Sequence, residues 1–154
     1  MARQPQQSIL SRAAIAGHPL HPMMIHFPVA ALLGLVAANV AYILSNDPFW
    51  ARASLWLAGV GTVGGWIASI AGLVDLLSVR EIRRMITSWC HALIAVMMLS
   101  LASLNWLLHL DDAGGNIMPW GLYVSLLTAG MIALASWLGG RLVYEHTVGV
   151  AVGD

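Results

Sequence analysis

The chain has 154 residues, of which 59% are hydrophobic and 9% charged, a composition far from that of a soluble globular domain. Its seven basic residues are all arginines and balance seven acids, so no basic field exists to attract nucleic acid. The composition therefore predicts a single-domain integral membrane protein without a nucleic-acid partner. Cys90 is the single cysteine, and no C-x-x-C-H string is present, which excludes covalently attached haem.

Residues 1–22 are predicted to form an N-terminal cytoplasmic or interfacial segment. They lack the apolar core and small-residue cleavage site of a signal peptide, so we expect the first apolar segment to remain as an anchor. Residues 9–16 are expected to form a short interfacial helix. Three histidines follow in Gly17-His18-Pro19-Leu20-His21-Pro22 and His26-Phe27-Pro28. The prolines fix φ and are expected to hold these histidines in an ordered bend.

Four segments are long and apolar enough to cross a bilayer, which requires about 20 residues each. They are Met23–Leu44, Ala53–Leu77, Thr87–His109 and Trp120–Val143. Short connections with turn residues join them, so we predict an all-α, up-down bundle of four transmembrane helices over residues 23–146. Residues 147–154 form a C-terminal tail.

The arginines predict the orientation of this bundle. Four crossings place both termini and the second connection on one side, and six of the seven arginines lie there. They are Arg3, Arg12, Arg80, Arg83, Arg84 and Arg141, against Arg52 alone on the other side. The positive-inside rule then places both termini in the cytoplasm, in a prokaryotic inner membrane.

Ionisable residues lie near the cytoplasmic end of every predicted helix. They are His18, His21, His26, Asp75, His91, Glu145 and His146. Ionisable groups are costly inside a bilayer and usually face the bundle interior, so we expect this cluster to be the functional site.

Helical spacing predicts which residues share a face with these groups. Below His26 lie Ala30, Gly34, Ala37 and Ala41, and below His91 lie Ala95, Met98, Ala102, Asn105 and His109. Gly61, Gly65 and Ser69 of the second segment have the spacing of a helix-packing motif. The same glycine face is also a candidate surface for a homodimer.

The first hypothesis for the cluster is a b-type haem with two axial histidines from different helices. His91 is the best candidate ligand because it lies inside the third segment, and His26 lies at a similar depth on the first. His21, His146 or His18 are alternatives to His26. Haem propionates would find charged partners in Arg80, Arg83 and Arg84.

A second haem near the opposite face would need further ligands, and the candidates there are His109 and Met118. A solvated histidine at a helix end explains His109 equally well. We therefore expect one cofactor level, on the cytoplasmic side.

The second hypothesis is a zinc, iron or copper ion held by imidazoles and a carboxylate, because such mixed ligands suit these metals. The candidate ligands are His18, His21, His26, His91 and His146, with Asp75 or Glu145. Asp75 is alternatively an acceptor that orients a ligand histidine. The third hypothesis is a structural accessory subunit whose polar cluster ties helix ends together. No catalytic signature is present, so a non-catalytic subunit is favoured over an enzyme.

The chain also resembles a known family. The motifs are the doubled His-Pro opening from Gly17 to Pro28, Gly72-x-x-Asp75, His91, and the tail from Gly140 to Val150. Together they are similar to a prokaryotic family of four-helix membrane proteins classified as a domain of unknown function. Thr147 stands where that family more usually has glycine. Similar domains occur fused to Rieske-type or cytochrome-type modules, so the resemblance implies membrane electron transfer. The expected partners are lipid, a redox protein or larger respiratory or photosynthetic complex, and a quinone.

Overall fold

The computed structural model describes residues 8–150, so Arg3 and the ends of the predicted terminal segments lie outside the described residues. The long helices are α1 (Leu20–Ser45), α2 (Pro48–Ser78), α4 (Ile86–Asp111) and α5 (Leu122–Tyr144). Between α2 and α4 lies the short helix α3 (Arg80–Arg84), and a π-helical turn (Ile117–Gly121) leads into α5. Four helices are long and apolar enough to cross a membrane, which confirms the predicted all-α bundle.

The connection between α1 and α2 shows how local chemistry ends one helix and starts the next. Asn46 takes a left-handed conformation (φ 52°) and its N–H donates to the Tyr42 carbonyl at 2.8 Å, which closes α1. The Asp47 carboxylate then accepts the Phe49 N–H at 2.9 Å, and Pro48 occupies the first position of α2. The reversal therefore takes two residues, as an antiparallel hairpin of helices requires.

α1 packs against α2 and α5, and α4 packs against the same two helices, so α1 and α4 lie diagonally across the bundle. Glycines of α2 permit this packing. A Cβ at Gly61 would lie 2.6 Å from Leu32 of α1, and Gly65 is buried against Leu99 of α4. The predicted packing face of α2 is confirmed. Because α1 and α4 already occupy it, this face is not open to the homodimer contact that the same spacing suggested.

The N-terminal segment is not the helix predicted for residues 9–16. Strands β1 (Ala14–Ile15) and β2 (His18–Pro19) form an antiparallel hairpin. Before it, Ile9 pairs with the C-terminal tail, its N–H donating to Thr147 (3.2 Å) and its carbonyl accepting from Gly149 (2.8 Å). The helix prediction was wrong because the backbone groups of this segment are satisfied by pairing with residues far along the chain.

Thr147 adopts φ 52°, a left-handed conformation that glycine takes without steric cost and a β-branched residue rarely takes. This explains why glycine suits the position. The tail still closes here, since the Val148 N–H reaches the Leu142 carbonyl at 3.1 Å.

The N-terminal segment, α3 and the tail meet at one end of the bundle, which is called the arginine-rich end below. Its described arginines are Arg12, Arg80, Arg83, Arg84 and Arg141, whereas Arg52 lies near the start of α2 at the opposite end. The asymmetry of charge in the sequence is thus an asymmetry between the two ends of the molecule.

Candidate histidine site

His21 and His91 meet across the bundle near the arginine-rich end. His21 lies in the first turn of α1 and His91 in the second turn of α4, so the pair joins the two diagonal helices. Their ring centroids are 6.2 Å apart and the ring planes make an angle of 85°. Both side chains are half-buried. The bundle therefore brings together two imidazoles from different helices.

Each ring is held by a backbone carbonyl of a neighbouring helix. His21 Nδ1 lies 2.9 Å from the Ala68 oxygen of α2, and His91 Nδ1 lies 2.9 Å from the Ala135 oxygen of α5. A carbonyl can only accept, so Nδ1 carries the hydrogen in both rings. In a neutral ring the lone pair then resides on Nε2, the arrangement typical of metal-ligating histidines.

A glycine four residues after each alanine makes room for the ring. A Cβ at Gly72 would lie 3.2 Å from His21 Nδ1, and a Cβ at Gly139 would lie 3.3 Å from His91 Cε1. His21 is therefore held against α2, and His91 against α5, by the same pair of contacts, a backbone carbonyl and a glycine. The two halves of the bundle thus hold their histidines by equivalent contacts.

The structure pairs His91 with His21 rather than with His26, which the sequence favoured. His26 follows His21 by five residues, about 140° around the helix, and is exposed. The small-residue stripe predicted below His26 is correspondingly displaced, since Ala30 and Ala37 are exposed. The buried face of α1 consists instead of Pro28, Ala31, Leu32, Leu35, Ala38 and Asn39.

The other two histidines of this end have separate surroundings. His18 is exposed in β2, and its Nδ1 lies 2.9 Å from the Ala16 carbonyl. His146 follows α5 and is half-buried.

Asp75 binds the N-terminal segment. Its carboxylate accepts from Ser11 Oγ at 2.6 Å, from the Arg12 N–H at 2.8 Å and from the Ala13 N–H at 2.9 Å. These contacts are called the Asp75 latch below. The sequence had predicted a metal ligand or an acceptor for a histidine, and the structure gives the carboxylate a different role. Within residues 8–150, no group of three or more potential metal-ligating side chains is assembled.

The charged groups around the histidine pair lie at the surface. Arg80, Arg83 and Arg84 are exposed on α3, where Arg83 Nη1 donates to the Leu77 carbonyl at 3.0 Å. Glu145 forms an ion pair with Arg141 at 2.8 Å, and this hydrogen-bonded partner lowers the pKa of the Glu145 carboxyl. Glu145 is therefore engaged in the helix-end pair rather than in the predicted metal shell.

A second polar cluster, called the Asn39–His109 cluster below, is buried near the opposite end of the bundle. It consists of Asn39, Asn105, His109 and Ser125, each at most 1% exposed. The expectation of a solvated His109 is therefore wrong. Asn39 follows His21, and His109 follows His91, by the same eighteen residues, which is five helical turns or about 27 Å. This repeated spacing is the signal in the sequence that identifies Asn39, whose role the sequence argument had missed.

Comparison with known proteins places this architecture in a family. Residues 17–152 match the family described as predicted membrane protein (DUF2231). No curated protein and no solved structure matches the chain. The matched range contains the histidine pair, Asp75 and the Asn39–His109 cluster, and it covers nearly the whole chain. The protein thus belongs to the DUF2231 family of predicted membrane proteins, whose function is unknown.

Proposed function

We propose that this protein is a b-type haem-binding electron-transfer subunit of a membrane redox assembly, with His21 and His91 as the axial ligands. The observation that carries the proposal is the meeting of two imidazoles from diagonal helices, each with Nδ1 held by a carbonyl. Four-helix bundles commonly build cofactor sites from facing helices in this way. Bound haem supplies one-electron exchange, and the protein residues hold and orient it.

The donor set of the pair and its neighbouring residues fit a haem site. Two imidazoles are the donor set of a low-spin b-type haem. His21 and His91, whose ring centroids lie 6.2 Å apart, would hold the haem iron through their imidazoles. The glycines beside the rings, Gly72 and Gly139, let each imidazole lie directly against α2 or α5. The exposed arginines of α3 supply partners for propionates at the same end.

The proposal includes an orientation and a class of exchange partner. Both termini face the cytoplasm of a prokaryotic inner membrane, because the arginine-rich end is the positive end. Little of the chain lies outside the four apolar helices, which leaves a small surface for a soluble substrate. Electrons are therefore exchanged with a partner protein of the same membrane or with a quinone.

A single zinc, iron or copper ion between the rings is the second candidate. The two rings approach each other directly, and α2 and α5 contact them at Gly72 and Gly139. This close packing favours a single ion over haem. An ion requires only the space between two Nε2 atoms, whereas a macrocycle also requires a flat slot between the helices.

We predict that His21→Ala and His91→Ala each abolish cofactor binding. The measurement is the absorption spectrum of the purified protein, oxidised and reduced, with pyridine haemochrome quantitation and elemental analysis for iron, zinc and copper. The wild type is expected to show sharp reduced haem bands that both variants lose. His18→Ala and His26→Ala remove exposed histidines and are the matched controls, expected to keep the wild-type spectrum.

Three results would overturn the proposed site. Haem retained in both ligand variants would show that other groups bind it. A colourless wild type with stoichiometric metal, lost in the same two variants, would select the metal ion. Neither cofactor after expression with adequate haem would leave the pair as a structural tie between helices.

A further inference from the structure

The Asn39–His109 cluster lies five helical turns from the histidine pair and takes no part in the proposed haem site. A buried polar atom must find a partner within the protein or in an ordered water molecule. Among residues 8–150, no carboxylate forms an ion pair with His109. The polar atoms of the cluster therefore form hydrogen bonds with one another and with nearby backbone carbonyls.

Both ring nitrogens of His109 face hydrogen-bond acceptors. Nδ1 lies 2.8 Å from the backbone carbonyl of Asn105, and Nε2 lies 3.3 Å from Asn39 Oδ1. In this orientation of the Asn39 amide, Nδ2 donates to Ser125 Oγ at 3.3 Å, and the Ser125 hydroxyl donates to the Leu122 carbonyl at 2.8 Å. Only a ring with hydrogen on both nitrogens satisfies this arrangement, and such a ring is a cation.

A neutral ring is satisfied by turning one amide. When the Asn39 amide rotates by half a turn, Nδ2 donates to the lone pair of His109 Nε2, and the Ser125 hydroxyl turns from the Leu122 carbonyl to donate to Oδ1. The amide oxygen and nitrogen have nearly the same size and shape, so the heavy atoms stay in place. The two protonation states of His109 thus share one packing and differ in the direction of two hydrogen bonds and in the bond from Ser125 to Leu122.

A spare acceptor lies in the adjacent turn. Asn105 donates to the Gly121 carbonyl at 3.1 Å, but its Oδ1 is buried without a partner in the described part of the chain. A Cβ at Gly121 would lie 3.1 Å from His109 Cε1, so the glycine permits the π-helical turn before α5 to approach the ring. An unpaired acceptor beside the imidazole suits a water molecule that delivers or removes a proton.

We propose that His109, Asn39 and Ser125 form a buried proton-binding site. His109 Nε2 takes up a proton from the aqueous phase, relayed by a water molecule that is left neutral, and the Asn39 amide turns so that its oxygen accepts the new N–H. The other ionisable side chains at this end of the bundle contact other residues. Asp112 accepts the Gly114 and Gly115 N–H groups, Asp111 accepts from Asn116, and the Tyr42 hydroxyl lies against Gly114.

The test is ¹⁵N NMR of the full-length protein labelled at histidine, in lipid nanodiscs, from about pH 5 to about pH 9. His109→Gln assigns the signals. We expect Nε2 of His109 to change from unprotonated to protonated as the pH falls, with Nδ1 protonated throughout. Asn39→Asp supplies a carboxylate at the acceptor position and is expected to raise the titration midpoint by about one pH unit or more.

Asn46→Asp makes the same chemical change at the exposed end of α1 and is the matched control, expected to leave the midpoint unchanged. A His109 ring that stays in one protonation state over the whole range, neutral or charged, overturns the proposal. So does an Asn39→Asp variant whose midpoint equals that of Asn46→Asp. Because haem content is not measured, the result is independent of the proposed function.

Discussion

Replacing Asp75 by alanine is expected to release the N-terminal segment and to accelerate tryptic cleavage after Arg12 by a factor of about a thousand or more. The carboxylate accepts three hydrogen bonds from this segment, two of them from backbone N–H groups. A hydrogen bond to a charged group contributes about 1.5–3 kcal/mol, so the loss of all three favours the open segment strongly. The measurement is the rate of appearance of the fragment that begins at Ala13, under limiting trypsin in detergent.

Two variants separate release of the segment from a general loss of structure. Ser11→Ala removes one hydrogen bond without changing any helix and is expected to accelerate cleavage about tenfold. Asp47→Ala removes an exposed carboxylate that caps α2 at the opposite end, so cleavage after Arg12 is expected to keep the wild-type rate. An unchanged rate in both Asp75→Ala and Ser11→Ala, with the helical circular dichroism intact, would refute the latch.

Gly61→Ala is expected to destabilise the bundle by about 1–3 kcal/mol, although alanine is the better helix former. The new Cβ would lie 2.6 Å from Leu32, whose side chain is 2% exposed and has little room to move. Overpacking at this point forces α1 and α2 apart, which also loosens the contacts of the core. The measurement is the free energy of unfolding in mixed micelles, taken from the denaturant midpoint.

Gly130→Ala is the matched substitution for this experiment. Gly130 lies in α5 and is exposed, and a Cβ added there would meet no atom of a neighbouring helix within 4 Å. Alanine at this position removes backbone freedom from the unfolded chain and is expected to be neutral or to stabilise by up to about 1 kcal/mol. If Gly61→Ala and Gly130→Ala change the free energy of unfolding equally, the close approach of α1 and α2 is not the reason for glycine at position 61.

Taken together, the contacts describe a bundle with two polar levels separated by an apolar layer. Leu32, Met98, Leu99, Ala102 and Ile132 form that layer. The histidine pair lies on one side of it and the Asn39–His109 cluster on the other, about 27 Å apart along the helices. This separation is close to the thickness of a hydrocarbon core, which is about 30 Å.

The sequence alone determined the parts of the fold that depend on composition within one segment. A run of about 20 apolar residues crosses a bilayer whatever its neighbours are, and each of the four predicted segments lies within a long helix or its leading turn. The buried face of α4 was also predictable. Met98, Ala102, Asn105 and His109 share one face by helical spacing, and the structure buries them all.

Only the tertiary structure decided which histidine of α1 faces His91 and what Asp75 binds. α1 is apolar around its whole circumference, so its periodicity does not distinguish the face of His21 from that of His26. The choice depends on the Ala68 carbonyl of α2, which holds the His21 ring. Asp75 and Ser11 are 64 residues apart, and a contact at that separation leaves no local pattern. Helix formation follows from nearby residues, whereas the assignment of polar side chains to partners follows from how the helices pack.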